Sequence, residues 1–484
     1  MYKYKIKYST ELLYQLIGST IFILLAFFIS RPTAVTDLYV QLLAIKGILA
    51  GLNFGGVGGH PLGIPVLASL LKLFNLDPLI CLYFLQPVIC GLCFCLLFKI
   101  LKTELSNKFS FFISLSSLSS LALIRSMNQV TAEIMSLLTV LLLMTYVWKN
   151  FIQNNNITIR IVLTMIVLSW IVILFRNAAI FIIVGILIFL LIHNILSWLQ
   201  LVFLGMIILI PGIIKGLFFY TQKFHSEMIF SINMPIEILS QLTKHFLNFT
   251  EIIFPYSLHL DHFPWIKMFI VIGCLLIVLL LKKYQKDSGA TENTNRILLA
   301  NYFFTIGCSY YCILSFAAVY YNYDWGALYR VSGYGIIFML SAFWVYTSSF
   351  IKWRKYILVI LIISSMTKVS YGLRYEILSN QHRFLFQDYR QSVKEIIEYV
   401  NTEYEDIYVY TDKSGHGRNL YYMLSYYDLI HSLPFEIHEY SNSIKQTPYI
   451  VLCSDLDLDQ FNNKIYTINK IPSIGRVFAI KNEK

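Results

Sequence analysis

Long apolar runs constrain this chain before anything else does. Stretches near 12–30, 78–98, 109–124, 132–148, 159–175, 178–193, 196–214, 265–281, 297–319, 331–350 and 356–372 are almost free of charge. Each approaches the ~20 residues that cross a bilayer core. A helix of that kind has no polar face to turn toward water, so its natural surroundings are lipid and other helices. Composition agrees: 57% of residues are hydrophobic and 13% charged, with mean hydropathy +0.64. Soluble domains carry about 25% charged residues, so a soluble enzyme, a disordered scaffold and a secreted disulfide protein are excluded. The expectation is a polytopic α-helical membrane protein of about 11 spans, with a small C-terminal α/β soluble domain.

The net charge of +11 suggests nucleic acid only until its distribution is read. Lys and Arg lie in short patches between apolar runs, where they set orientation rather than form a groove. With the N-terminus in the cytoplasm, Lys99, Lys102, Lys108, Lys149, Arg160, Lys282, Lys283, Lys286, Arg296, Lys352, Arg354 and Lys355 all fall inside. Lys3, Lys5 and Lys7 precede a first run that is long and lacks a small-x-small cleavage site, so it reads as a retained anchor. The fifth and sixth runs are short and separated only by Arg176-Asn177, and counting both or neither leaves this parity unchanged. The same register places residues 31–77, residues 215–264 and the tail outside.

The predicted division is a transmembrane domain over 1–372 and an extracytoplasmic domain over 373–484. Within the tail, Val393, Ile396, Ile397 and Val400 follow the i, i+3, i+4, i+7 pattern of an amphipathic helix. Ile407–Thr411, Phe435–Tyr440, Tyr449–Cys453, Lys464–Ile468 and Arg476–Ile480 read as strands. Seven of the eight cysteines sit in apolar runs, and Cys90-x-x-Cys93 has no second pair, so it reads as a buried helix face rather than a zinc site.

An ionisable group at membrane depth costs about 2.5–3.5 kcal/mol on insertion scales. Arg125, Arg176 and Arg330 nevertheless stand at outer ends of the spans, and Lys215 closes the seventh on the same side. Asp37, Glu133 and Asp324 occur at that level too. Single arginines there snorkel to headgroups or pair with a carboxylate; as a set with acids, they point to a shared polar cavity opening outward. His225, His245, His259 and His262 in the 215–264 loop fit no tight ligand spacing and read as solvated or headgroup-facing. Asp455, Asp457 and Asp459 lack the Gly and Glu of a calcium loop and read as a solvated acidic turn. Lys413–Arg418 reads as a turn before a helix at 419–428 rather than as a sugar-contacting loop. No metal site is expected, although a divalent cation is compatible with the acids.

Asp37 and Tyr39 open an apolar stretch too short to span, with Leu38, Leu42, Leu43, Ile45, Ile48 and Leu49 suited to an interface. Gly55, Gly56, Gly58 and Gly59 follow, then His60-Pro61-Leu62-Gly63-Ile64-Pro65 and an apolar segment to Phe74. Without a following Lys-Ser/Thr the glycines make no P-loop. This order resembles the amino-terminal half of the GT-C superfamily of membrane glycosyltransferases, which includes protein mannosyltransferases and the lipid A aminoarabinose transferase. Thr131-Ala132-Glu133 resembles the family's second acidic site. Leu174-Phe175-Arg176-Asn177 resembles its turn between two apolar runs, and Asp324 through Tyr329-Arg330 its late outer-loop arginine. The chain departs from the family where Leu38 follows Asp37, where a single Pro61 follows His60, and where Asn177 replaces a proline; these positions bear on substrate class.

The resemblance implies transfer of a sugar from a polyprenyl-phosphate-linked donor to a glycan, lipid or protein acceptor on the extracytoplasmic side of the bilayer, with no nucleic-acid partner. It implies Asp37 as base, Glu133 to place the acceptor or a cation or to pair with an arginine, and Arg176 and Arg330 on the donor phosphate. Arg125 or Lys215 would assist, and Tyr39, His60 and Asp324 would line the pocket. Two alternatives stay open: a polymerase or ligase using lipid-linked saccharides, and a non-enzymatic transporter or flippase. A transporter places charged or broken helices near the midplane, often in two related halves, whereas this chain gathers its ionisable residues at one face and shows no internal repeat.

Overall fold

The computed structural model describes residues 2–30, 36–45, 48–49, 61–128, 130–154, 157–219, 234–247, 250–251, 264–287, 294–320 and 329–379, together with five strands between 408 and 481. The described helices are α1 (Tyr2–Ile29), α2 (Thr36–Leu43), α3 (Gly63–Leu73), α4 (Pro78–Lys102), α5 (Asn107–Leu118), α6 (Leu121–Asn128), α7 (Ala132–Val147), α8 (Ile159–Phe175), α9 (Ile180–Ile192), α10 (Trp198–Phe219), α11 (Met234–Leu247), α12 (Pro264–Asp287), α13 (Thr294–Tyr320), α14 (Tyr329–Thr347) and α15 (Arg354–Ser379). The chain divides into two compact units, Met1–Ser30 with Phe84–Tyr375, and Arg31–Tyr83 with Glu376–Lys484.

In the first unit α13 packs on α14 and α9, α14 on α5 and α6, and α7 on α8. Its core is aromatic and aliphatic: Trp148, Tyr302, Phe303, Tyr310 and Tyr311 are all essentially inaccessible. The outward faces are just as apolar. Leu163, Val167 and Ile171 on α8, Phe203, Met206 and Leu209 on α10, and Val359, Ile360, Ile363 and Met366 on α15 are exposed. Aliphatic stripes of this extent are incompatible with water and suit lipid chains. Among the described residues five helices are long and apolar enough to cross a membrane, or six if one bent pair counts as a span. The molecule is a polytopic helical membrane protein.

Every predicted apolar run coincides with a helix, but the third is not continuous. α5 and Leu121–Met127 meet at a bend of 67°. The break falls at Ser119-Ser120, and sharp kinks commonly fall at such small-residue pairs.

In the second unit α2 packs on α3, and Leu38, Leu42, Ile64 and Ala68 are buried. The tail contributes β1 (Tyr408–Thr411), β2 (Glu436–Glu439), β3 (Tyr449–Cys453), β4 (Lys464–Ile471) and β5 (Gly475–Lys481), in spatial order β2-β1-β3-β5-β4. The pairs β1–β2 and β1–β3 are parallel, whereas β3–β5 and β5–β4 are antiparallel. The strands overlap the five short runs picked out by alternation. The helices expected at 393–400 and 419–428 lie outside the described residues.

Candidate functional site

Two of the predicted site residues meet. Arg176 Nη1 lies 2.8 Å from Glu133 Oε1, with side-chain exposures of 16% and 7%. Local structure delivers both. Arg176 adopts an extended conformation (φ −156°, ψ 123°), which ends α8 and precedes a short 3-10 turn, Asn177–Ala179, leading into α9. Glu133 stands in the first turn of α7, after an extended Thr131, where the helix dipole favours negative charge. Burial by itself would lower the proton affinity of the Arg176 guanidinium; the facing Glu133 carboxylate more than offsets this and raises it. The guanidinium therefore stays charged. Tyr334 and Tyr310 also face Arg176, and the Tyr334 hydroxyl donates to the Glu133 carbonyl at 3.1 Å. A cavity of ≈ 10 Å³ beside Glu133, bordered by Ser126 and Tyr334, has room for about one water.

The turn that carries Glu133 is held by Gln86, a fully buried amide on α4. Its Nε2 donates to the Met127 carbonyl at 3.1 Å and to Ser30 Oγ at 3.4 Å, and its Oε1 accepts from the Thr131 N–H at 3.1 Å. Thr131 Oγ1 donates to the Ser126 carbonyl at 3.1 Å. Backbone groups freed where α6 ends and α7 begins are thus satisfied without water, as burial requires.

Arg125, on α6, has a different companion. It acts on Glu251, which sits just after α11 and is completely buried. Glu251 Oε2 accepts the Leu121 N–H at 3.1 Å, while its Oε1 is buried and makes no hydrogen bond. Burial pushes the Glu251 carboxyl up to about 7, against the pull of Lys368, the Leu121 N–H, Lys267 and Arg125. Lys368, on α15 and also fully buried, donates from Nζ to the Ser116 carbonyl and to Ser116 Oγ, both at 3.2 Å. His245 is not solvated as expected: it is fully buried and stacks on Tyr311 with ring centroids 5.1 Å apart. The packing of α11 on α13, the helix that bears Tyr311, places it there.

Asp37 and Tyr39 lie on α2, Lys215 on α10 and Arg330 in the first turn of α14, but the placement of these four side chains lies outside the described residues. His60 and Asp324, with His225, His259 and His262, lie wholly outside them. Among the described residues no group of three or more His, Cys, Asp and Glu is placed to hold a metal ion. Sequence reading missed Gln86, Glu251, Lys267 and Lys368. A signal existed for three of them: Gln86, Lys267 and Lys368 fall within otherwise apolar runs, and such residues face protein partners rather than lipid.

A polytopic helical membrane protein with a buried acid–arginine pair at a helix break is the class these observations define. No family model matches the chain, and no curated protein matches it. Among solved structures, it is similar to apo ArnT from Cupriavidus metallidurans, with TM-score 0.43 and 10% identity over 99% of this chain and 98% of that one. It is also similar to the arabinofuranosyltransferase AftD from Mycobacteria, with TM-score 0.45 and 9% identity. That match covers 96% of this chain and 39% of AftD, so the chain spans well under half of AftD's length.

Proposed function

We propose that the protein is a membrane glycosyltransferase that moves a sugar from a polyprenyl-phosphate-linked donor to a glycan, lipid or protein acceptor on the extracytoplasmic face. The observation that carries this reading is the buried Glu133–Arg176 pair. It unites the two motifs, Thr131-Ala132-Glu133 and Leu174-Phe175-Arg176-Asn177, each of which resembles part of the GT-C pattern. The reading includes eleven spans, a cytoplasmic N-terminus and an extracytoplasmic α/β domain over 373–484, following the distribution of Lys and Arg.

In this scheme transfer proceeds with inversion. The acceptor hydroxyl attacks the anomeric carbon and gives its proton to the Asp37 carboxylate. The bond from that carbon to the phosphate oxygen breaks, and its electron pair leaves with the lipid phosphate. Arg176 and Arg330 stabilise the departing charge, assisted by Arg125 or Lys215; a guanidinium suits this because it offers two donors to two oxygens. Glu133 holds Arg176 charged and oriented. Tyr39, His60 and Asp324 line the pocket, and no metal is assigned a step.

The test reconstitutes the protein in vesicles with radiolabelled polyprenyl-phosphate sugars. Asp37→Asn should lower kcat by about 10²–10⁴-fold, the usual contribution of a general base, and Glu133→Gln should abolish transfer. Unchanged transfer by Asp37→Asn removes Asp37 as base. Elongation of a lipid-linked saccharide by repeating units would instead favour a polymerase. Movement of saccharide across the vesicle without transfer would favour a transporter.

A further inference from the structure

The break in the third apolar run leaves two raw helix ends inside the protein. The last carbonyls of α5 and the first N–H groups of α6 have no partners within their own helices. Local bonds settle some of them: Ser119 N–H donates to Leu115 O, and Leu123 and Ile124 N–H to Ser120 O. The Ser116 carbonyl is taken by the Lys368 ammonium, and the Leu121 N–H by the Glu251 carboxylate. A cation therefore meets the negative end of α5 and an anion the positive end of α6, the polarity that the helix dipoles favour. The two side chains also attract one another. Such a pair costs desolvation that its mutual attraction need not recover, and Glu251 carries that cost in its raised proton affinity.

We propose that Glu251 and Lys368 are a positioning pair: they hold the bend between α5 and α6 and so place α6, with Arg125, beside the turn that carries Glu133. The importance for catalysis rests on the transferase reading above; the placement of α6 does not. Gln86 grips the other end of α6 through the Met127 carbonyl and the Thr131 N–H. The groups that face Glu251 are Lys368 on α15, Lys267 on α12, Arg125 on α6 and Tyr311 on α13.

A disulfide reports the position of α6 without reference to activity. A Cβ built on Gly333, in α14, lies 3.3 Å from the Ala122 Cβ on α6, close to the spacing within a disulfide. Ala122→Cys with Gly333→Cys should cross-link readily in the full-length protein under mild oxidant, with the bond mapped by mass spectrometry. Adding Glu251→Gln or Lys368→Met should lower the initial cross-linking rate about tenfold, as expected from loss of a charge-assisted bond, while a cooperative melting transition persists. The exchanged pair, Glu251→Lys with Lys368→Glu, should fail to restore cross-linking, because the dipole ends keep their polarity.

Unchanged cross-linking in both single variants overturns the proposal, and full recovery in the exchanged pair reduces it to an ordinary salt bridge. Loss of a cooperative melting transition in both single variants overturns it as well, making the pair a requirement for folding. In vesicles, Glu251→Gln should lower kcat more than it raises the donor KM. Reduced cross-linking with unaltered kcat would refute the catalytic part alone. A wild-type protein that transfers no sugar refutes the transferase reading, and the cross-linking still decides the placement of α6.

Discussion

At the scale of single residues, two groups of buried charge among the described residues strike different balances. Glu133 and Arg176 form a close pair in which attraction exceeds the burial penalty on the guanidinium. Around Glu251 burial prevails, and the carboxyl titrates at about 7 rather than its ordinary 4.5. The sign of the linkage follows. A carboxyl with a raised value in the folded state binds its proton more tightly there than in the unfolded chain, so protonation favours folding. Stability should be greatest below pH 4.5 for this group, decline between 4.5 and about 7, and level off above. Glu251→Gln should remove that decline. Melting temperatures measured across this interval in wild type and variant test the prediction, and parallel curves would refute it.

At the scale of elements, the helices pack through close backbone approaches as well as through side chains. On α9, a Cβ at Gly185 would lie 2.8 Å from the Ile306 Cα and 3.2 Å from the Ser309 Cβ of α13. Small residues commonly allow membrane helices this proximity. Gly185→Ala should therefore destabilise by about 1–3 kcal/mol, the usual effect of overpacking. Gly273, on α12, has nothing within 4 Å of a built Cβ. Gly273→Ala should be neutral or stabilise by up to about 1 kcal/mol, because alanine loses less entropy in a helix. Thermal unfolding of both variants in one detergent makes the comparison, and equal shifts would contradict it. The third apolar run belongs to this scale too. Hydropathy reads 109–124 as continuous because Ser119 and Ser120 hardly lower its mean, whereas hydrogen bonding divides it between α5 and α6.

For the whole molecule, the strongest prediction concerns sidedness. Reporter fusions in the loops after α4 and α12 should read as cytoplasmic, and fusions after α15 as extracytoplasmic, because Lys99, Lys102, Lys282, Lys283 and Lys286 bias their loops inward. A cytoplasmic signal from the tail would overturn the orientation and, with it, an extracytoplasmic site. The tail's mixed sheet shows how far local pattern reaches. Alternation located all five strands, but the order β2-β1-β3-β5-β4 joins segments distant in sequence, and alternation carries no information about neighbours.

By itself the sequence determined the membrane-protein class, the positions of the helices and the candidate acids and arginines, because hydropathy and charge are local and the bilayer reads them directly. Only the tertiary structure decided that Arg176 takes Glu133 as its partner while Arg125 acts on Glu251. It alone revealed that Lys368 and Glu251 meet the two ends of a broken span. The reason is physical: a buried charge or an orphaned backbone group is satisfied by whatever packing brings near it. Ser116 and Lys368 stand 252 residues apart in the chain, and Leu121 and Glu251 stand 130 apart.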